Sequence, residues 1–193
     1  SSNRINRQAE WRSKLTLLSN GALLFLTLTG LSIWLLPFSR FNQLSVLAHT
    51  LIGLIFLIPV TIYVLRHWVV YRRQVLTQTK LLGYVSIGVL LACTVSGLVL
   101  TWQPVYGVKI SYFWRAVHQW TTVALLPLVL PHILIPLLRD ARARLTEAGA
   151  PIWVAAKSFG KGASVVAALL FGSAGLAYYA YEPPQLLRDF AAD

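Results

Sequence analysis

Long apolar stretches separated by short polar and basic ones make up most of this chain. Five stretches are long enough to cross the roughly 30 Å of membrane hydrocarbon, which takes about 20 helical residues. They cover approximately residues 15–37, 44–70, 81–102, 113–138 and 162–181. The pattern predicts an all-α transmembrane helix bundle of about five spans.

The composition supports a protein whose main solvent is lipid. Of the 193 residues, 56% are hydrophobic and only 12% are charged, whereas soluble domains carry about 25% charged residues. The net charge of +11 would suit nucleic acid, but the basic residues form short clusters between apolar runs. Clusters of that kind set membrane topology, so we expect no nucleic-acid partner.

The distribution of basic residues predicts the orientation. Thirteen of the seventeen Lys and Arg residues fall in the segments on the same side as the N-terminus, which the positive-inside rule assigns to the cytoplasm. The first span is too long for a typical signal sequence and lacks a clear cleavage site, so we interpret it as uncleaved. We therefore predict a cytoplasmic N-terminus and an extracytoplasmic C-terminus.

These boundaries divide the chain into five parts. We expect a cytoplasmic tail over residues 1–14, a four-helix core over 15–138 and a cytoplasmic linker over 139–161. A fifth transmembrane helix over 162–181 and an extracytoplasmic tail over 182–193 complete the chain.

The four histidines occupy only the second and fourth spans, where ionisable groups are costly and usually functional. His49 and His67 are 18 residues apart, which is about five whole turns and about 27 Å of helix. His118 and His132 are 14 residues apart, which is about four turns and about 21 Å. Because the second and fourth spans run in the same direction, we expect His49 to lie level with His118, and His67 level with His132.

Two stacked pairs of imidazoles predict two b-type haems, because haem iron accepts an axial imidazole on each face. Zinc and non-haem iron sites usually gather three or four ligands, often with a carboxylate, and these spans contain no Asp or Glu. The chain has no Met and a single cysteine, Cys93, which excludes a Met ligand and a c-type attachment motif. We expect small residues either to let the backbone approach the haem macrocycle or simply to aid helix packing, and the candidates are Gly53, Gly88 and Gly97.

The two histidine spacings differ by about 6 Å along the helix axis. Kinks at Pro59 or Pro131, or different helix tilts, would absorb the difference. If they do not, His67 is an interfacial residue and only the haem of His49 and His118 exists.

The residues around these histidines resemble those of the bacterial membrane cytochrome b subunits. This group includes cytochrome b561-like proteins and the cytochrome b subunits of formate dehydrogenase, nickel–iron hydrogenase and nitrate reductase. The resemblance covers Leu15 to Leu138 and is carried by three stretches: Leu47-Ala-His49-Thr-Leu-Ile-Gly53, Arg115-Ala-Val-His118-Gln-Trp and Leu130-Pro-His132. In the formate dehydrogenase and hydrogenase members the first helix supplies one ligand. The first span here has no histidine, so His67 would take that role.

The resemblance implies an electron-transfer subunit rather than a complete enzyme, in a prokaryotic cytoplasmic membrane. Electrons would pass between the quinone pool and an extracytoplasmic cytochrome c or iron–sulfur subunit. A bound quinone is a further candidate ligand. Candidate contacts of the haem propionates are Arg40, Lys109 and Arg115, which otherwise are ordinary flanking charges. A haem-free membrane anchor or assembly subunit is the alternative. A transporter is disfavoured because no inverted repeat or midplane charge is visible.

Overall fold

The computed structural model describes residues 8–107, 109–146 and 149–180, and within these ranges it contains helices and connections but no strand. Five long helices are all apolar enough to cross a membrane: α1 (Lys14–Leu35), α2 (Arg40–Tyr71), α3 (Gln78–Tyr106), α4 (Tyr112–Arg142) and α5 (Ala150–Ala180). The predicted all-α, multi-pass membrane fold is therefore confirmed.

Two short elements flank the spans. A helical turn over residues 8–12 precedes α1, and a 3-10 turn, Ala143–Leu145, follows α4. The predicted tail over 182–193 and the first seven residues lie outside the described part of the chain. We call the end of the bundle at which α1 begins the near end, and the end at which α1 stops the far end.

Hydroxyl side chains fix where three of the spans begin. Ser13 accepts a hydrogen bond from the backbone N–H of Thr16, and Thr77 accepts one from the N–H of Lys80. Ser39 does the same at the start of α2. Each of these caps supplies an acceptor to one of the backbone donors that a helix start leaves without an intrahelical partner.

The fifth helix is longer than the sequence pattern predicts. It begins at Ala150 rather than at residue 162, so this helix alone covers about half of the predicted linker over 139–161. The reason is an apolar stripe at helical spacing, since Ile152, Ala155, Ala156 and Phe159 are all buried. Pro151 lies in the first turn, where a missing N–H has little cost.

The spans form two groups. In the first, α1 packs closely against α2 and α5, and in the second α3 packs against α4. Along the described residues, α2 makes scarcely any close backbone approach to α3 or α4. A gap therefore separates α2 from the α3–α4 pair.

Close α1–α5 packing depends on small residues. A Cβ added at Gly21 would meet Val166, and one added at Gly162 would meet Leu17. Phe25 is fully buried and its ring centroid lies 4.7 Å from that of Phe171. The helices α1 and α5 hold most of the buried apolar residues of the described chain. Their interface therefore forms the packed core against which α2 lies.

Candidate functional site: two facing histidine pairs

The structure brings the four histidines together as two pairs across the gap between α2 and α4. At the far end, the ring centroids of His49 and His118 are 6.2 Å apart, with an interplanar angle of 84°. At the near end, the centroids of His67 and His132 are 6.0 Å apart, with an angle of 75°. Spacings of 18 residues on α2 and 14 on α4 are thus both accommodated, and these are the pairs that the spacing predicts.

The Nδ1 atoms of both α4 histidines meet backbone carbonyls of α3. His118 Nδ1 lies 2.9 Å from the carbonyl oxygen of Cys93, and His132 Nδ1 lies 2.9 Å from that of Thr79. A carbonyl oxygen only accepts hydrogen bonds, so Nδ1 must carry the proton in both rings. The Nε2 atom of each ring is then the one with the free lone pair.

A glycine stands four residues after each of these carbonyls. A Cβ added at Gly97 would lie 3.0 Å from Cε1 of His118, and one at Gly83 would lie 2.7 Å from Cε1 of His132. Because Cα–Cβ bonds in a helix tilt toward its N-terminus, a side chain there would cover the carbonyl one turn earlier. We call each such pair, Cys93 with Gly97 and Thr79 with Gly83, a carbonyl–glycine site.

His49 has its Nδ1 3.0 Å from the hydroxyl oxygen of Thr29 on α1. That hydroxyl already donates to the carbonyl of Phe25 at 2.8 Å, so it must accept from His49. The next residue is again glycine, and a Cβ on Gly30 would lie 3.2 Å from Cε1 of His49. The ring of His49 is therefore also protonated at Nδ1, with Nε2 left for a ligand.

His67 differs from the other three because its partner is charged. Its Nδ1 lies 3.1 Å from a carboxylate oxygen of Glu10, in the helical turn before α1. The two side chains are 25% and 20% exposed, so the contact lies at the edge of the bundle. Tyr63 and Tyr71, one turn before and after His67, flank the ring at centroid distances of 5.6 and 4.6 Å.

The segment that carries Glu10 is held in place by its neighbour. The indole N–H of Trp11 donates to a carboxylate oxygen of Asp140 at 3.2 Å, and Asp140 is only 2% exposed. The Trp11 ring also packs against Phe159 of α5 at 4.9 Å. One short segment thus connects α2, α4 and α5 at the near end.

A cavity of about 460 Å³ lies between α2 and α3 in the far half of the bundle. Its walls are almost entirely apolar, and they consist of Leu54, Leu98, Thr101, Trp102, Val105 and Tyr106. Leu98 directly follows the glycine under His118, and Leu54 lies little more than one turn from His49 on α2. The gap between the two groups of helices is therefore open at this level.

The centroid separation within each pair is one at which both imidazoles could bind the same metal ion. Metal–imidazole bonds of about 2 Å place the centroids of two trans imidazoles about 6 Å apart. In all four rings the proton is on Nδ1, which is the tautomer that a metal-binding imidazole needs for coordination through Nε2. Each pair supplies two ligands, and no cluster of three or more His, Cys, Asp or Glu side chains occurs in the described chain. A macrocycle would supply the remaining ligands.

The predicted small residues have different surroundings. Gly97 lies under the imidazole of His118, whereas a Cβ on Gly53 would meet only Leu26, and one on Gly88 would meet nothing within 4 Å. Sequence reasoning missed Gly30 and Gly83. The signal was present, since Gly83 and Gly97 are separated by the same 14 residues as His118 and His132.

The predicted cationic contacts lie at or near the far end. The guanidinium of Arg40 donates to the carbonyl of Tyr178 at 3.1 Å and lies over its ring. Arg115 lies over the ring of Tyr112, 5.4 Å from its centroid. Lys109 lies in the connection between α3 and α4.

Comparisons of the chain with protein-family models, curated proteins and solved structures found no match in any of the three.

Proposed function

We propose that this protein is a membrane cytochrome b subunit that passes electrons between the quinone pool and a partner redox subunit through two bis-histidine b haems. The observation that carries the proposal is the repeated geometry of the two histidine pairs. Both have centroid separations of about 6 Å, the separation that two trans axial imidazoles on one metal require. In both, all Nδ1 atoms have acceptors within 3.1 Å.

The position of the pairs in the fold suits electron transfer across a membrane. The histidine spacings place the two sites about 21–27 Å apart along the helices, in a bundle of five candidate spans. Haem held by His49 and His118, and by His67 and His132, would supply one-electron chemistry at each site. The chain's own residues orient the imidazoles, and their hydrogen bonds would help to set the potentials.

The resemblance to cytochrome b561-like proteins and to formate dehydrogenase, hydrogenase and nitrate reductase cytochrome b subunits remains part of this proposal. We also propose that the protein lies in a prokaryotic cytoplasmic membrane with its near end in the cytoplasm. Its partner at the far end would be a cytochrome c or an iron–sulfur subunit. Arg115 and Lys109 are proposed contacts of the haem propionates at the far end, with Arg40 shared between that role and Tyr178.

The test is the haem content of the purified protein and of single-histidine variants. A dithionite-reduced minus oxidised spectrum with a pyridine haemochrome assay should give two b haems per chain. His118→Ala should lose the far haem and His132→Ala the near haem, so each variant should retain one. Gln119→Ala, which changes the neighbour of His118 and no ligand, is the matched control and should retain two.

The alternative, a haem-free anchor subunit, predicts the opposite result in the same assay. Protein purified from its native membrane would contain no haem, and all four histidines could be replaced without spectral change. One haem per chain, lost on replacing His49 or His118 but not His67 or His132, would restrict the proposal to the far pair.

A further inference from the structure

The four imidazoles do not have equivalent hydrogen-bond partners. Three donate to neutral oxygens, which are two backbone carbonyls and one threonine hydroxyl. His67 donates to the carboxylate of Glu10, which lies outside the spans. A carboxylate acceptor makes the stronger hydrogen bond and shifts more electron density onto the imidazole than a neutral acceptor does.

We propose that Glu10 is a positioning residue that lowers the reduction potential of the near haem relative to the far haem. This inference rests on the proposed function. A more basic axial imidazole and a nearby negative charge both favour the ferric over the ferrous state, and hydrogen bonding to an axial ligand is one of the means by which a protein sets a haem potential. The near site would then be the stronger reductant of the two.

The burial and anchoring of Glu10 support a direct effect on His67. Its side chain is 20% exposed, so water screens the charge only in part. Its carboxylate also accepts a hydrogen bond from the Thr16 hydroxyl at 3.3 Å, and the indole of the adjacent Trp11 donates one to the buried Asp140. These contacts hold the carboxylate of Glu10 against Nδ1 of His67.

The consequence is a direction for electron flow within the chain. An electron that arrives at the near haem would move to the far haem with a favourable change in potential, and the reverse transfer would be unfavourable. A partner that accepts electrons at the far end fits this order.

The experiment is a spectroelectrochemical titration of the purified holoprotein and its Glu10→Gln variant. Glutamine retains an acceptor oxygen for His67 and removes the charge. We expect the lower-potential wave to rise, with at least a tenfold change in its oxidised-to-reduced ratio at a fixed potential, which is 59 mV for one electron. The other wave should stay in place. Titration of His49→Ala, which retains only the near haem, assigns the wave.

Arg12→Gln is the matched control, since it removes a charge from the same turn. If the effect were only long-range electrostatics, Arg12→Gln would shift the near wave by a similar amount in the opposite direction. A direct effect through His67 predicts a much larger shift for Glu10→Gln.

Two waves that both stay in place in Glu10→Gln, or that shift together, would overturn the inference and leave the two-haem function intact. Absence of haem from the unaltered protein would overturn the function itself. If Glu10→Gln loses the near haem, Glu10→Asp is titrated instead. Its shorter side chain weakens the hydrogen bond, so the near wave should rise part of the way, and an unchanged wave contradicts the inference.

Discussion

The two helices that face the histidines, α3 and α1, provide hydrogen-bond partners in different ways. On α3 the same arrangement occurs twice, 14 residues apart, and each time a backbone carbonyl accepts from a ring that lies over glycine. On the α1 side the two partners are unlike side chains, the hydroxyl of Thr29 and the carboxylate of Glu10. The α3–α4 pair is thus a regular repeat, whereas the α1–α2 pair is irregular.

This difference follows from the histidine spacings. On α4 the spacing of 14 matches the spacing of the carbonyl–glycine sites on the antiparallel α3. The same spacing on α2 would place the second histidine at the position of Tyr63, but it lies one turn later, at position 67. That turn takes the ring beyond the start of α1, so a residue before the span must supply its partner. Both acceptors for the α4 histidines therefore lie within the α3 span, whereas one of the two acceptors for the α2 histidines, Glu10, lies before the α1 span.

The regular repeat on α3 is tested most directly by replacing its two glycines with alanine. Gly83→Ala should have the largest effect, because the new Cβ would lie 2.7 Å from Cε1 of His132. Overpacking of this kind costs about 1–3 kcal/mol, so we expect reduced near-haem occupancy. Gly97→Ala should act similarly but less strongly on the far haem, since its contact is 3.0 Å. Haem content per chain is the measurement.

Gly88→Ala is the matched control on the same helix. A Cβ there would meet nothing within 4 Å, and alanine is favoured over glycine in a helix by up to about 1 kcal/mol. Full haem content with an equal or higher thermal midpoint is expected. If Gly88→Ala lost as much haem as Gly83→Ala, the loss could not be assigned to the contact with His132.

The irregular side can be loosened at its anchor with Trp11→Phe. This change retains an aromatic ring against Phe159 and removes the N–H that Asp140 accepts. Loss of one hydrogen bond to a largely buried carboxylate costs about 1.5–3 kcal/mol. We expect the near haem to dissociate at a lower temperature while the far haem is unaffected, as followed by the Soret band on heating. Equal destabilisation of both haems would show that the segment acts on the whole bundle.

Thr29→Val should have the smallest effect and sharpens the comparison within the α1 side. Valine retains the shape of threonine but removes the oxygen that accepts from His49. A neutral hydrogen bond is worth about 0.5–1.5 kcal/mol, so the far haem should be retained with a slightly lower thermal midpoint. Thr121→Val, whose hydroxyl donates to the carbonyls of Val117 and His118 in its own helix, is the control. Complete loss of the far haem in Thr29→Val would mean that this hydroxyl does more than orient the ring.

The sequence was sufficient for the spans and for the histidine pairs because both follow from simple lengths. About 20 apolar residues cross a membrane, and residues about 18 or 14 apart return to one helix face. The long fifth helix was missed because its first half is only apolar along one stripe. Glu10 was missed because a short polar turn carries no periodic signal, and its contact with His67 depends on how α1 and α2 pack.

Main-chain acceptors on α3 have a consequence for genetics. The oxygens that orient His118 and His132 belong to the peptide backbone, so substitution of Cys93 or Thr79 leaves them in place. Alanine scanning would therefore show little effect at Cys93 or Thr79. Gly83 and Gly97 would be sensitive instead, because any larger residue there would contact a histidine ring. Two of the four hydrogen-bond acceptors that face the histidine Nδ1 atoms are therefore groups that a search for essential side chains would not detect.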